Sequence, residues 1–139
     1  MASPNTPTTE SGLPIFGPVD TGALITHTAA SAGVNGTDQT NINGRGIKIV
    51  IDITAITGTS PTLTVTLQGK DTASGKYYTI LASAALTSVA TTVIEVYPGL
   101  TASANTVANS TLPKTWRVIS TIGGTTPAVT ATVGASVIV

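Results

Sequence analysis

Cysteine is absent from this 139-residue chain, which excludes disulfide frameworks, thiolate metal sites and cysteine nucleophiles together and suits folding in a reducing compartment. Charge is scarce as well. Charged side chains make up 9% of the residues, against about 25% in an ordinary soluble domain, and six acids balance six bases. Aromatics stand at 4%. A nucleic-acid binder needs a basic stripe to hold phosphates and rings to stack on bases, whereas Arg45, Lys48, Lys70, Lys76, Lys114 and Arg117 are dispersed along the chain. No apolar run approaches the ~20 residues that cross a bilayer. Residues 1–18 hold neither the basic stretch nor the apolar core of a secretory leader. The expectation is a protein made in the cytoplasm, with no nucleic acid and no membrane among its partners.

What the chain does have is threonine alternating with aliphatic residues. In IKIVIDIT, residues 47–54, Ile47, Ile49, Ile51 and Ile53 share one face, and Lys48, Val50, Asp52 and Thr54 the other. That period of two is the signature of a half-buried strand. TLTVTLQ, residues 62–68, repeats it with Leu63, Val65 and Leu67 inward. The intervening ITGTSP carries Gly58 and Pro61, both turn formers, so the two strands are expected to pair as a hairpin. A second reversal is expected at Asp71, Ser74 and Gly75, ahead of KYYTILAS. Further alternating runs lie at 91–98, 114–121 and 128–139; in the last, Val129, Ala131, Val133, Ala135 and Val137 share a face and Gly134 marks a bulge or a close approach. A strand near residues 19–30 is less sharply patterned.

No stretch sustains a helical period. The pattern therefore predicts an all-β chain, an antiparallel β-sandwich of jelly-roll or immunoglobulin-like kind over residues 19–139. Two longer connections, residues 31–44 and 99–113, are long enough to cross between sheets. Residues 1–18, rich in Pro, Ser and Thr, read as an extended N-terminal arm. Its small apolar cluster, Leu13, Ile15 and Phe16, is a candidate contact with the domain itself or with a neighbour.

No catalytic or metal-binding motif is present in the sequence. His27 is the lone histidine and shares the alternation of Ile25, which favours a partly buried ring hydrogen-bonded to backbone over a catalytic or metal role. One histidine without cysteine cannot build a typical zinc site. The carboxylates Glu10, Asp20, Asp38, Asp52, Asp71 and Glu95 form no close motif, and Asp71 reads as a turn former in place of a calcium ligand. GKDTASGKY resembles a phosphate loop, but Lys70 stands where glycine is required and Tyr77 where a hydroxyl residue must follow Lys76. The expectation is a non-enzyme with no cofactor and no metal. A carbohydrate-binding module needs an aromatic platform. Tyr77, Tyr97 and Trp116 are the candidates for it, and Trp116, alternating with Val118, is expected in the core. Tyr97 is kept as a candidate contact residue.

The strand pair leading to LQGKD, the SGKYY hairpin, YPG after a strand, and LPKTWRV, within residues 44–139, resemble small virion proteins of tailed bacteriophages, of the head-decoration or cement type. The resemblance implies a structural protein located on the capsid surface of the virion, made in the host cytoplasm. Its partner would be the major capsid protein, and it would form a symmetric homo-oligomer, for instance a trimer. A β-sandwich associated with tail, baseplate or fibre would share this fold and composition.

Overall fold

The computed structural model describes residues 19–139; the arm, and with it Leu13, Ile15 and Phe16, lies outside the described residues. The described chain is all β, with seven strands: β1 (Val19–Ala30), β2 (Gln39–Thr40), β3 (Gly46–Asp71), β4 (Lys76–Ala82), β5 (Ala90–Val96), β6 (Val107–Ala108) and β7 (Thr115–Ile138). β3 and β7, at 26 and 24 residues, are several times the usual strand length of about five or six. They pair antiparallel from Gly46↔Ile138 to Gly69↔Trp116. β1, β2, β4 and β5 each pair with one strand of this ribbon, and β6 is added outside β5.

The expected hairpin at residues 56–61 does not form. Both of its strands belong to β3 and both pair with β7. Gly58 and Pro61 mark a kink within one strand, not a reversal, and β7 carries a matching kink. Gly58-Thr59-Ser60-Pro61 lies against Gly124-Thr125-Thr126-Pro127, with the ladder irregular from Ile53 to Thr62. Gly58 and Gly124 take φ of 122° and 107°, and Ser60 and Thr126 both take 48°. A Cβ on Gly58 would fall 2.8 Å from the Thr126 carbonyl oxygen, and one on Gly124 would fall 2.7 Å from that of Ser60. Each glycine is thus needed for its dihedral and for the closeness of the opposite backbone. The prolines, which cannot donate to a ladder, sit where the ladder is already broken.

The kink folds one sheet into two layers. The first contains β1, the C-terminal half of β7, the N-terminal half of β3, β5 and β6. The second contains β2, the N-terminal half of β7, the C-terminal half of β3, and β4. Residues 34–36 extend its edge through Gly36 N–H to Val118 O and Ser120 N–H to Val34 O. The connection 99–113 passes from the first layer to the second, as its length suggested, whereas 31–44 runs along the second layer's edge and returns to the first at β3. β5 and β6 pair in parallel over two residues, a small departure from the antiparallel rule. The β3–β4 turn is as expected, with Gly75 at φ 76°.

The inward faces of both layers form one core. Ile47, Ile49, Ile51 and Ile53 meet Leu63, Val65, Leu67, Trp116, Val118, Val129 and Val133, all nearly solvent-free. Removing each large aliphatic side chain from water contributes about 1.5–3 kcal/mol. Trp116 is core, as its alternation predicted, at 1% exposure. Among the described residues its indole N–H finds no hydrogen-bond partner. Gly134 lies against the backbone of Gly22 in β1, whose ladder is irregular there, so both readings of that glycine hold.

Candidate interaction surfaces

His27 is buried at 3% exposure, and its Nε2 lies 2.8 Å from the hydroxyl of Ser120, itself at 5%. The partner is a side chain from the opposite layer, where the sequence suggested backbone. Ser120 also accepts from Val34 N–H at 3.0 Å, so one buried hydroxyl ties together β1, β7 and the edge segment. Burial holds the imidazole below its usual value of 6.5. A Ser–His pair brings a nucleophile-base dyad to mind, but this one is buried and, among the described residues, no carboxylate is bonded to the ring. It is a clamp between layers.

Among the described residues, no three acidic or histidine side chains gather into a metal-binding group. The Asp71 carboxylate caps its own turn, accepting from Ser74 Oγ at 2.7 Å and from the Ser74 and Ala73 N–H groups. Those bonds, that of Ser74 Oγ foremost, hold it below its ordinary value of 3.8. GKDTASGKY lies on two strands and the turn between them, with no helix N-terminus to cradle a phosphate. Tyr97, one residue beyond β5, is half-buried; its hydroxyl donates to the Val139 carbonyl at 3.1 Å, and its ring covers Gly46, whose added Cβ would lie 2.6 Å from it. Tyr97 fastens the end of β7 while keeping an exposed edge.

The outer face of the second layer carries a polar cluster that sequence reading missed. Lys70 Nζ donates to Asp38 at 2.8 Å, and the Tyr77 hydroxyl donates to the same carboxylate at 2.7 Å. The Arg117 guanidinium stacks 3.5 Å from the Tyr77 ring centroid, and its Nε donates to Gln68 Oε1 at 2.9 Å. The hydrogen bond from Lys70, then that from Tyr77, holds the Asp38 carboxyl below its ordinary value. The cluster joins residues from three strands and a loop, so only the register Gln68↔Arg117 and Lys70↔Tyr77 could have revealed it. Within it Asp38 is neutralised by Lys70, and the Arg117 guanidinium covers the ring of Tyr77. With Trp116 buried and Tyr97 engaged, the aromatic platform that a carbohydrate module requires is not assembled from those three residues.

The outer face of the first layer is organised in rows across four strands. One row runs Ala23–Gly134–Val50–Val93, with Val50 and Val93 at 37% and 46% exposure. On one side lies Asp20–Ser136–Lys48–Glu95, and on the other Thr26–Thr132–Asp52–Thr91. The signal for this face was legible: Val50 and Val93 are apolar residues on the outward parity of their strands. Register aligns them with Ala23 and Gly134 into one row without charge across four strands.

No family of known proteins and no curated protein matches the chain. Two solved structures, those of the Gt and Gx strains of infectious bursal disease virus, are similar at 11% identity, with TM-scores of 0.36 and 0.37. The alignment covers 87% of this chain and 33% of each of those chains. A likeness this distant establishes neither a shared fold nor a shared role.

Proposed function

We propose that the protein is a structural component of a virion that binds the outer surface of a tailed-phage capsid and stabilises the shell, with the major capsid protein as its partner. One observation carries the reading furthest. Charged side chains make up 9% of the chain and balance to a net charge of zero, and on the outer face of the second layer Lys70 and Asp38 are already paired with each other. A surface without a strong field of either sign has little self-repulsion, so many identical copies can stand close together on a lattice. Highly charged surfaces resist such crowding and keep copies apart. The resemblance of residues 44–139 to head-decoration proteins supports the same assignment. The apolar residues Leu13, Ile15 and Phe16 then supply a strap for a groove or sheet edge on a neighbour.

The deciding experiment mixes the purified protein with undecorated heads and images them by electron cryomicroscopy. Regular surface density that follows the capsid lattice is the expected result. Bare heads at saturating protein, or density confined to the tail, reject the capsid assignment. Deleting residues 1–14 is expected to weaken head binding while the circular-dichroism spectrum and thermal midpoint stay close to those of the full chain.

A further inference from the structure

From the row pattern on the first layer's outer face we infer that this face is a two-fold interface for a second copy of the same chain. The inference is independent of the capsid reading, since it rests on the face alone. Consider a two-fold axis lying along the apolar row Ala23–Gly134–Val50–Val93. Two copies related by it stack their sheets face to face, about 10 Å apart, with the strands of one copy running antiparallel to those of the other. Each residue of that row then meets its own equivalent, and each flanking row meets the other flanking row of the second copy.

The charges decide in favour of this axis. Lys48 and Asp52 stand on opposite sides of Val50 on the same strand, too far apart along it to pair with each other. Across the axis, Lys48 of one copy faces Asp52 of the other, and the pair occurs twice. Glu95 faces Thr91, and Asp20 faces Thr26, so no two like charges are opposed. The alternative axis, parallel to the strands and between β3 and β7, would set Glu95 against Asp20 of the second copy. Lys48 is open to such a contact. Its cross-strand neighbour is Glu95, yet the Lys70–Asp38 bridge is the only ion pair among the described residues. Asp52 accepts from Thr91 Oγ through one oxygen, Oδ1, at 3.1 Å, leaving Oδ2 for an incoming ammonium group.

The contact is small. Three rows across four strands give a footprint of roughly 20 by 20 Å, about 400 Å² per copy, against the ~800 Å² per partner of a standard interface. Gly134 facing Gly134 also leaves a gap beside the Val50 pair. The free protein is therefore in weak, concentration-dependent equilibrium between monomer and dimer, with raised salt favouring the monomer.

The test is sedimentation equilibrium of the full chain up to about 1 mM, on the wild type, on Lys48→Asp, on Asp52→Lys, and on an equimolar mixture of the two variants. The wild type is expected to show reversible dimerisation. Each variant alone opposes like charges twice and dimerises more weakly by about tenfold or more. The mixture recovers association, because the acidic face of one variant meets the basic face of the other. Unchanged thermal midpoints confirm that both variants fold, and Val50→Lys supplies a third disruption without reversing a charge. A wild type that stays monomeric throughout, variants that associate as well as the wild type, or a mixture no better than its components each overturn the inference. The last two results would place any self-association elsewhere on the chain. None of these results bears on whether the protein decorates heads.

Discussion

The two layers are made from halves of the same two strands, and inwardly they are alike, yet their outer faces handle charge in opposite ways. On the second layer, Asp38, Lys70, Tyr77, Gln68 and Arg117 close on one another. On the first, Lys48, Asp52, Glu95 and Asp20 are spread over two rows on either side of exposed valines. A face whose carboxylate is already paired and whose guanidinium is already stacked and hydrogen-bonded gains little from a partner. A face whose charges are patterned and unpaired keeps its electrostatic energy for whatever docks on it, and the comparison teaches where to look for contacts in a chain with so few ionisable groups.

The strongest way to break the comparison is to remove the bend that creates two faces. Gly58→Ala and Gly124→Ala each place a methyl group against opposing backbone at a dihedral alanine disfavours, and each is expected to cost about 2–4 kcal/mol in urea unfolding. A loss no larger than that of an exposed Thr→Ala control would show that the kink tolerates side chains.

Next is the clamp that holds the layers together. His27→Gln is expected to cost about 1–3 kcal/mol, because Ser120 and the new amide cannot both be satisfied in the same buried space. The wild type also carries a pH signature. With the folded pKa below 6.5, the unfolded chain binds the proton first, so stability is full above 6.5 and falls as pH drops from there toward the folded value. It levels off, for this group, once both states are protonated. His27→Gln should flatten that part of the stability-against-pH curve; an unchanged slope would assign it to other groups.

Smaller effects sharpen the contrast between the faces. Val50→Lys is expected to shift stability by less than about 0.5 kcal/mol, so any change it makes to association reports on the face and not on the fold. Tyr77→Phe removes the hydroxyl bond to Asp38 and leaves the stacked Arg117 in place, again within about 0.5 kcal/mol. In the NMR spectrum, the Arg117 Nε–H should keep its slow exchange with water through its bond to Gln68. Its loss would mean that the cluster depends on the hydroxyl.

Much of the fold was legible, for a definable reason. Ile47, Ile49, Ile51, Ile53, Leu63, Val65, Leu67 and Trp116 declared the core because a period of two fixes a face whatever the pairing partner is. The all-β sandwich followed from it, as did the turn at Gly75. What misled was the Gly58–Pro61 segment, where the same residues that reverse a hairpin also kink a continuous strand. Only the matching Gly124–Pro127 segment, some 60 residues away in sequence, decides between the two. The Asp38 cluster was hidden likewise, since its members meet only through long-range register. Val50 and Val93 were visible from the start as aliphatic residues on a wet face, but their row needed four aligned strands.

The paired kinks also bear on how the protein avoids misassembly. A straight two-stranded ribbon as long as β3 and β7, built on alternating Thr and Val, could slide by two residues and keep every side chain on its proper face. The hydrophobic pattern alone would not detect the slip. With Gly58 lodged against Thr126 and Gly124 against Ser60, a slip of any length sets a left-handed residue opposite regular ladder on both strands. The bend therefore acts as an indexing mark. It allows one register for the longest pairing in the molecule, and it denies the extended, flat geometry through which such sequences stack into fibrils.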